Sequence, residues 1–292
     1  MLEVCNITKV YKSFFKTKIA CKNVSFEVQE GEIASLLGLN GAGKSTILKI
    51  ISGVEPSSEG DVIIFGNSIR QHATEAKREM GVLYENAPLY GELTVQEHLR
   101  FVMNMRGIRM REASHLVLEL LDTFDLKDVK EKRIAELSKG YRQRLAFVAT
   151  IAHSPRLLIL DEPTSNLDVV QLREFKKKIL QLDKTRIVLL STHNLELAKD
   201  ICTKHILIHS GEVILQGTME EIKEQIEQKV SEMHSERLSF FGKRGESEDD
   251  EEDGESEIMQ YVNHEKELKR ENILELAFDL FAGVKKSEFY KN

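Results

Sequence analysis

The chain has 292 residues, 41% apolar and 30% charged, enough to bury one sizeable core with at most a small appendage. Its formal charge of −7 is set by residues 246–257, which hold nine carboxylates and no Lys or Arg, so the remainder carries +2 and no nucleic-acid partner is expected. No apolar run approaches the ~20 residues of a membrane span, the start Met1-Leu2-Glu3-Val4-Cys5 has no leader pattern, and Cys5, Cys21 and Cys202 are too scattered for a metal or disulfide motif, so a cytoplasmic location is expected.

In chain order, the first strong signal is the apolar run Ile33–Leu37, a predicted strand, followed by Gly38-Leu39-Asn40-Gly41-Ala42-Gly43-Lys44-Ser45 and a helical pattern from Thr46 to Ile51. The segment fits G-x-x-x-x-G-K-[ST] between a strand and a helix. Its glycines keep Cβ atoms away from a polyphosphate and permit φ > 0, so backbone N–H groups from Gly38 to Thr46 can wrap the anion. The helix that follows adds unpaired N–H groups and about half an elementary charge at its positive end. Lys44 would be a point charge for the β- and γ-phosphates, and the Ser45 hydroxyl would take one place on Mg²⁺. A nucleoside triphosphate is the expected ligand.

The run at 62–65 is the next predicted strand. From about 92 to 153 the pattern is helical, with Leu93, Val95, Leu99 and Val102 and then Leu116, Leu120, Leu121 and Phe124, so an all-helical insertion divides the sheet. Within it, Leu137-Ser138-Lys139-Gly140-Tyr141-Arg142-Gln143-Arg144 opens a helix that continues through Leu145, Val148 and Ile151. Ser138 is a good N-cap and Gly140 allows a close backbone approach, which makes a second anion-binding helix terminus.

Leu157–Leu160 is continuously apolar, as a strand buried on both faces requires, and ends in Asp161-Glu162. Open α/β sheets bind ligands at the carboxyl ends of their strands, so both carboxylates are expected to face Lys44. Asp161 is suited to hold Mg²⁺. Glu162 is suited to polarise a water for attack on the γ-phosphate, a general-base role worth about 10²–10⁴-fold. Lys176-Lys177-Lys178 reads as the solvated face of a helix. The strand at 187–190 leads to His193, placed to hydrogen-bond the γ-phosphate and the attacking water. His205–Leu215 reads as a hairpin turning at Ser210-Gly211, which closes the core near residue 217.

Residues 218–244 continue as a charged helical extension, and 245–257 form an acidic linker whose carboxylates repel one another. Residues 258–292 contain a short amphipathic helix, with Ile273, Leu274, Leu276, Ala277, Leu280 and Phe281 at helical spacing before Gly283. That helix either packs on its own core or offers its apolar face to a partner.

Over about residues 2–217, the loop Gly38–Ser45, the segment Leu137–Arg144, the Asp161-Glu162 pair, Pro163-Thr164-Ser165-Asn166-Leu167-Asp168 and His193 resemble, in order, the motifs of the ATP-binding-cassette (ABC) ATPases. The resemblance implies an α/β P-loop NTPase core over 1–217 with a mixed sheet, an inserted helical subdomain at about 92–153 and a C-terminal helical extension. It implies ATP and Mg²⁺ as ligands, Tyr11 as the aromatic that stacks on adenine, and Glu162 and His193 as the catalytic pair. It also implies that Ser138 and Gly140 cap the nucleotide of another subunit, so that a chain with one set of motifs works as a head-to-tail dimer with itself or a similar ATPase.

Glu85 stands where the family usually has a Gln that touches Mg²⁺; a carboxylate remains a ligand but adds negative charge near the phosphates. Glu85 with Pro88-Leu89-Tyr90, the form of Ser138–Arg144, and Glu271–Gly283 are similar to the export-type branch, whose permeases are separate chains. Peripheral attachment to the inner face of the cell membrane follows. A soluble ABC ATPase with an assembly or regulatory role is the alternative.

Overall fold

The computed structural model describes residues 1–13, 17–165, 167–182, 184–241 and 273–283, with side chains given for all of these except 233–241. The first half forms β1 (Leu2–Lys12), β2 (Thr17–Val28), β3 (Ile33–Leu37), α1 (Lys44–Ile51), β4 (Glu59–Ile64), β5 (Asn67–Ser68), α2 (Ala73–Arg78), β6 (Met80–Leu83), α3 (Val95–Met105), α4 (Met110–Thr123) and α5 (Lys139–Ile151). The second half forms β7 (Leu157–Asp161), α6 (Val169–Leu180), β8 (Ile187–Thr192), α7 (Leu195–Ile201), β9 (Lys204–His209), β10 (Glu212–Gly217), α8 (Met219–Phe241) and α9 (Ile273–Ala282).

The strands make two sheets among the described residues. The larger has the order β10-β9-β3-β8-β7-β6, parallel from β9 to β6, with β10 antiparallel at one edge. The smaller, β2-β1-β4-β5, is antiparallel. Every residue of β7 and β8 is buried, which explains their unbroken apolar character. Alternate side chains serve opposite faces. Leu157 and Ile159 join the core shared with α1 and the antiparallel sheet. Leu158 and Leu160 join the core shared with α3, α4 and α5. Each such fully buried aliphatic side chain contributes about 1.5–3 kcal/mol.

The helical insertion lies between β6 and β7, as α3, α4, two short 3-10 turns and α5. Thr94 starts α3 through a reciprocal cap, its hydroxyl accepting from Glu97 N while the Glu97 carboxylate accepts from Thr94 N at 2.8 Å. Three strands extend beyond the apolar runs visible in the sequence. β1 and β2 are interrupted by register shifts, with Asn6 at φ +50° and Asn23 at +49°, so the two-residue alternation breaks. β6 has four residues and takes its definition from pairing with β7.

The apolar face of α9 packs on the chain itself. Leu274, Ala277 and Phe278 meet Ile222, Ile226 and Val230 of α8 in a third core that also takes in Leu37 and Leu207. The acidic linker expected over 245–257 lies outside the described residues. The lysine run on α6 is not a uniformly solvated face. Lys176 pairs with Asp200, and Lys178 bonds the Thr123 carbonyl at 3.1 Å and covers the Phe124 ring, leaving Lys177 as the exposed member.

Candidate nucleotide site

The loop between β3 and α1 is shaped by close backbone contacts. Gly43, the N-cap of α1, has φ +107°, and a Cβ there would lie 2.6 Å from the Ala20 carbonyl oxygen. A Cβ on Gly38 would lie 2.4 Å from the Ile208 carbonyl oxygen. Ala42 N closes the turn on Leu39 O at 3.1 Å, and the β9–β10 hairpin braces it through Gly211 N to Ala42 O at 2.9 Å. Asn40, Gly41 and Ser45 are exposed at the mouth, beside Thr46, and Gly43 offers no capping side chain, so the first-turn amides of α1 are not claimed by a cap.

Three elements, α1, β7 and β8, bring charged and polar groups to this mouth. Lys44 donates to the carbonyls of Gly38 at 2.7 Å and Leu39 at 3.3 Å, and its Nζ lies 3.4 Å from Glu162 Oε1. Burial pulls the Lys44 ammonium below its usual pKa, against the opposing pull of Glu162 and Asp161. Glu162, just past β7, has φ +46°, and its Oε2 is 3.1 Å from His193 Nδ1 just past β8. Asp161 is 5% exposed and accepts from Ser45 Oγ at 3.2 Å. The structure therefore gathers Lys44, Ser45, Asp161, Glu162 and His193 at one place. The adjacent hydroxyl and carboxylate of Ser45 and Asp161 are hard oxygen donors of the type Mg²⁺ takes.

Other candidates stand apart from this cluster. Glu85 is exposed, and among the described residues no hydrogen bond or ion pair joins it to Ser45 or Asp161. Tyr11 is 39% exposed, donates to Glu55 Oε2 at 2.5 Å and lies near Thr46 in the first turn of α1. Ser138 caps α5, accepting from Tyr141 N at 3.4 Å, and Gly140 packs against Gln171 of α6. Asp168 caps α6 through Gln171 N at 2.8 Å, and Asn166 lies outside the described residues.

Two polar residues of the cluster go unnoticed in the sequence. Ser191, fully buried on β8, donates to Asp161 Oδ1 at 2.6 Å and accepts from Glu162 N at 3.0 Å. It lies two residues before His193, and strand periodicity would have put it on the same face. Tyr84, after β6, meets Ser52 Oγ at 2.6 Å; burial raises its phenol, and the charge of Asp161 adds to the effect.

Residues 21–165 match the family model described as ABC transporter. The chain is 31% identical over 226 residues to the ABC transporter ATP-binding protein NatA of Bacillus subtilis, an alignment covering 77% of this chain and 92% of NatA. It belongs to the ABC transporter family. Within that family it is an ABC-type ATPase. It is also 34% identical over 226 residues to the probable multidrug ABC transporter ATP-binding protein YbhF of Escherichia coli, across 77% of this chain and 38% of YbhF, so it spans well under half of that relative's length. Among solved structures, the dimeric bacterial ABC transporter cassette MJ0796 matches with a TM-score of 0.69 at 27% identity, over 75% of this chain and 98% of that one.

Proposed function

We propose that this ABC ATPase hydrolyses ATP to drive a separate transmembrane permease, in the export direction, as a head-to-tail dimer. One observation carries the chemistry: the Glu162 carboxylate is held between Lys44 and His193 at the lip of the phosphate loop. There, Lys44 and the loop amides bind the polyphosphate. Water attacks the γ-phosphorus, its proton passes to Glu162, and the bond to the β–γ bridging oxygen breaks to release ADP and phosphate. His193 orients the Glu162 carboxylate through the hydrogen bond to Oε2. Ser45 and Asp161 would hold Mg²⁺, which when bound neutralises charge on the β- and γ-oxygens. Glu85 is left out of the metal set because it is exposed and joined to neither ligand. Tyr11, exposed beside the first turn of α1, is available to adenine.

Among the described residues, Ser138 and Gly140, at the start of α5, share no hydrogen bond with the Lys44 cluster, which suits contact with a nucleotide held by a second copy. The solved cassette it resembles is dimeric, which supports a function in two copies. Among the described residues no helix is long and apolar enough to cross a membrane, so under this reading another chain forms the pathway and this one sits at its cytoplasmic side. The helical insertion and the exposed segment around Glu85 are the surface assigned to coupling. The multidrug name of YbhF supports export.

The test is affinity purification of tagged Glu162→Gln from detergent-solubilised host membranes with Mg²⁺-ATP. Recovery of a polytopic membrane protein in comparable amount supports the reading. A dimer found solely in the soluble fraction refutes it.

A further inference from the structure

The turn that carries Glu162 is gripped from two sides. On its amino side, the Glu162 N–H donates to Ser191 Oγ. On its carboxyl side, Gln143 Nε2 of α5 donates to the carbonyl of Pro163 at 2.7 Å. The turn needs such support, because Glu162 stands at φ +46°, a region unfavourable for a residue with a side chain.

The surroundings of Gln143 are costly for an amide. It borders a cavity of about 60 Å³ between α5 and α6, where Leu83, Phe124, Phe147, Leu167 and Phe175 form an apolar wall and polar side chains of both helices, Arg144 and Gln171 among them, also line the space. Its Oε1 is buried and has no hydrogen-bond partner among the described residues, an arrangement that disfavours the folded state. A buried amide with one end unpaired is accounted for by the bond its other end makes.

The covalent geometry explains what that bond does. The proline ring fixes φ of Pro163 and leaves ψ as the torsion about which its carbonyl can swing, so the bond from Gln143 removes that freedom and anchors the peptide group that follows the Glu162–Pro163 bond. We propose that Gln143 is a positioning residue: by holding the Pro163 carbonyl it sets the direction in which the Glu162 carboxylate leaves the turn, toward Lys44 and His193. The proposal rests on the reading of Glu162 as the general base.

The test compares steady-state ATPase kinetics and melting temperature of the full chain with those of Gln143→Met, Gln143→Lys, Gln143→Glu and Glu162→Gln. Met keeps the length and bulk of Gln without a donor, so kcat should fall about 5- to 10-fold with KM and Tm unchanged. Lys restores a donor and should recover part of kcat, whereas Glu turns an acceptor toward the carbonyl and should fall below Met. Wild-type kcat in both Gln143→Met and Gln143→Glu overturns the proposal. So does a loss in Gln143→Met matched by a drop in Tm and a rise in KM, which would mark Gln143 as a packing residue. Full activity in Glu162→Gln defeats the underlying reading instead, so the two failures are distinguishable.

Discussion

Lys44 and Glu162 form an ion pair at the mouth of the phosphate loop, with side chains 5% and 13% exposed. The same ammonium is bonded to the Gly38 and Leu39 carbonyls. A γ-phosphate and Glu162 therefore compete for one desolvated cation, and transfer of Lys44 to the phosphate frees the carboxylate to take a proton. Lys44→Ala should bind ATP poorly and lose at least about 100-fold in turnover. Fluorescent-nucleotide binding and phosphate release measure this, and near-wild-type values in both would sink the phosphate-loop assignment.

Glu162→Gln preserves the shape of the side chain and its approach to His193 while removing the proton acceptor. Turnover should fall about 10²–10⁴-fold, with ATP still bound and a dimer trapped in Mg²⁺-ATP. Gel filtration with and without nucleotide reads the second effect. An unchanged kcat would show that another group accepts the proton.

Ser191 ties the Asp161 carboxylate to the backbone of Glu162 through one fully buried hydroxyl. Ser191→Ala removes both bonds and leaves a buried amide and a carboxylate oxygen short of a partner, at about 1–3 kcal/mol in stability. The Mg²⁺ concentration for half-maximal ATPase activity should also rise, and Ser191→Thr should retain both properties. Identical Mg²⁺ titrations and melting curves for the wild type and Ser191→Ala would deny the bridge any role.

The phosphate loop, the Asp161-Glu162 pair, the helical insertion and the hairpin at Ser210-Gly211 were legible because each is a contiguous stretch with its own periodicity or backbone demand. Ser191 was hidden inside an apolar run. It reaches Asp161 because β8 lies beside β7 with Asp161 directly opposite Ser191, and strand order is not written in chain order. Gln143 and Tyr84 were missed for the same reason, since their partners Pro163 and Ser52 lie 20 and 32 residues away. Lys176 and Lys178 read as solvated because their partners, Asp200 and the Thr123–Asp125 corner, belong to other elements. Local chemistry was readable; contacts made by folding back were not.

Phe278 is fully buried between α9 and α8. Phe278→Ala leaves a cavity in a helix of ten residues, and such truncations destabilise by about 3–5 kcal/mol. Because the buried residues of α9 all belong to one local core with α8, the loss should appear as local opening of α9 with the nucleotide core intact. Amide exchange over residues 273–282 should accelerate by about two orders of magnitude or more. Unchanged exchange there would mean that α9 is held by other contacts.

His205 sits 1% exposed on β9 with Nδ1 2.8 Å from Ser35 Oγ, and burial pushes its pKa down from 6.5 to about 4 against a weaker opposing effect of Glu220. In the unfolded chain the imidazole takes a proton near pH 6.5, whereas in the folded chain it stays neutral until about pH 4. Between those values the unfolded state holds more protons, so stability falls as the pH is lowered through the window, by about 1.4 kcal/mol per pH unit and about 3 kcal/mol in all for this group. His153, lowered to about 4 by burial and then by Arg106, adds a loss in the same direction. Urea unfolding at pH 7.5 and pH 5 measures the slope. His205→Gln keeps a polar group toward Ser35 but cannot titrate, so its stability should drop less over that interval than the wild type's. Parallel profiles would mean that His205 is already protonated in the folded chain, or that it is reached by solvent before unfolding.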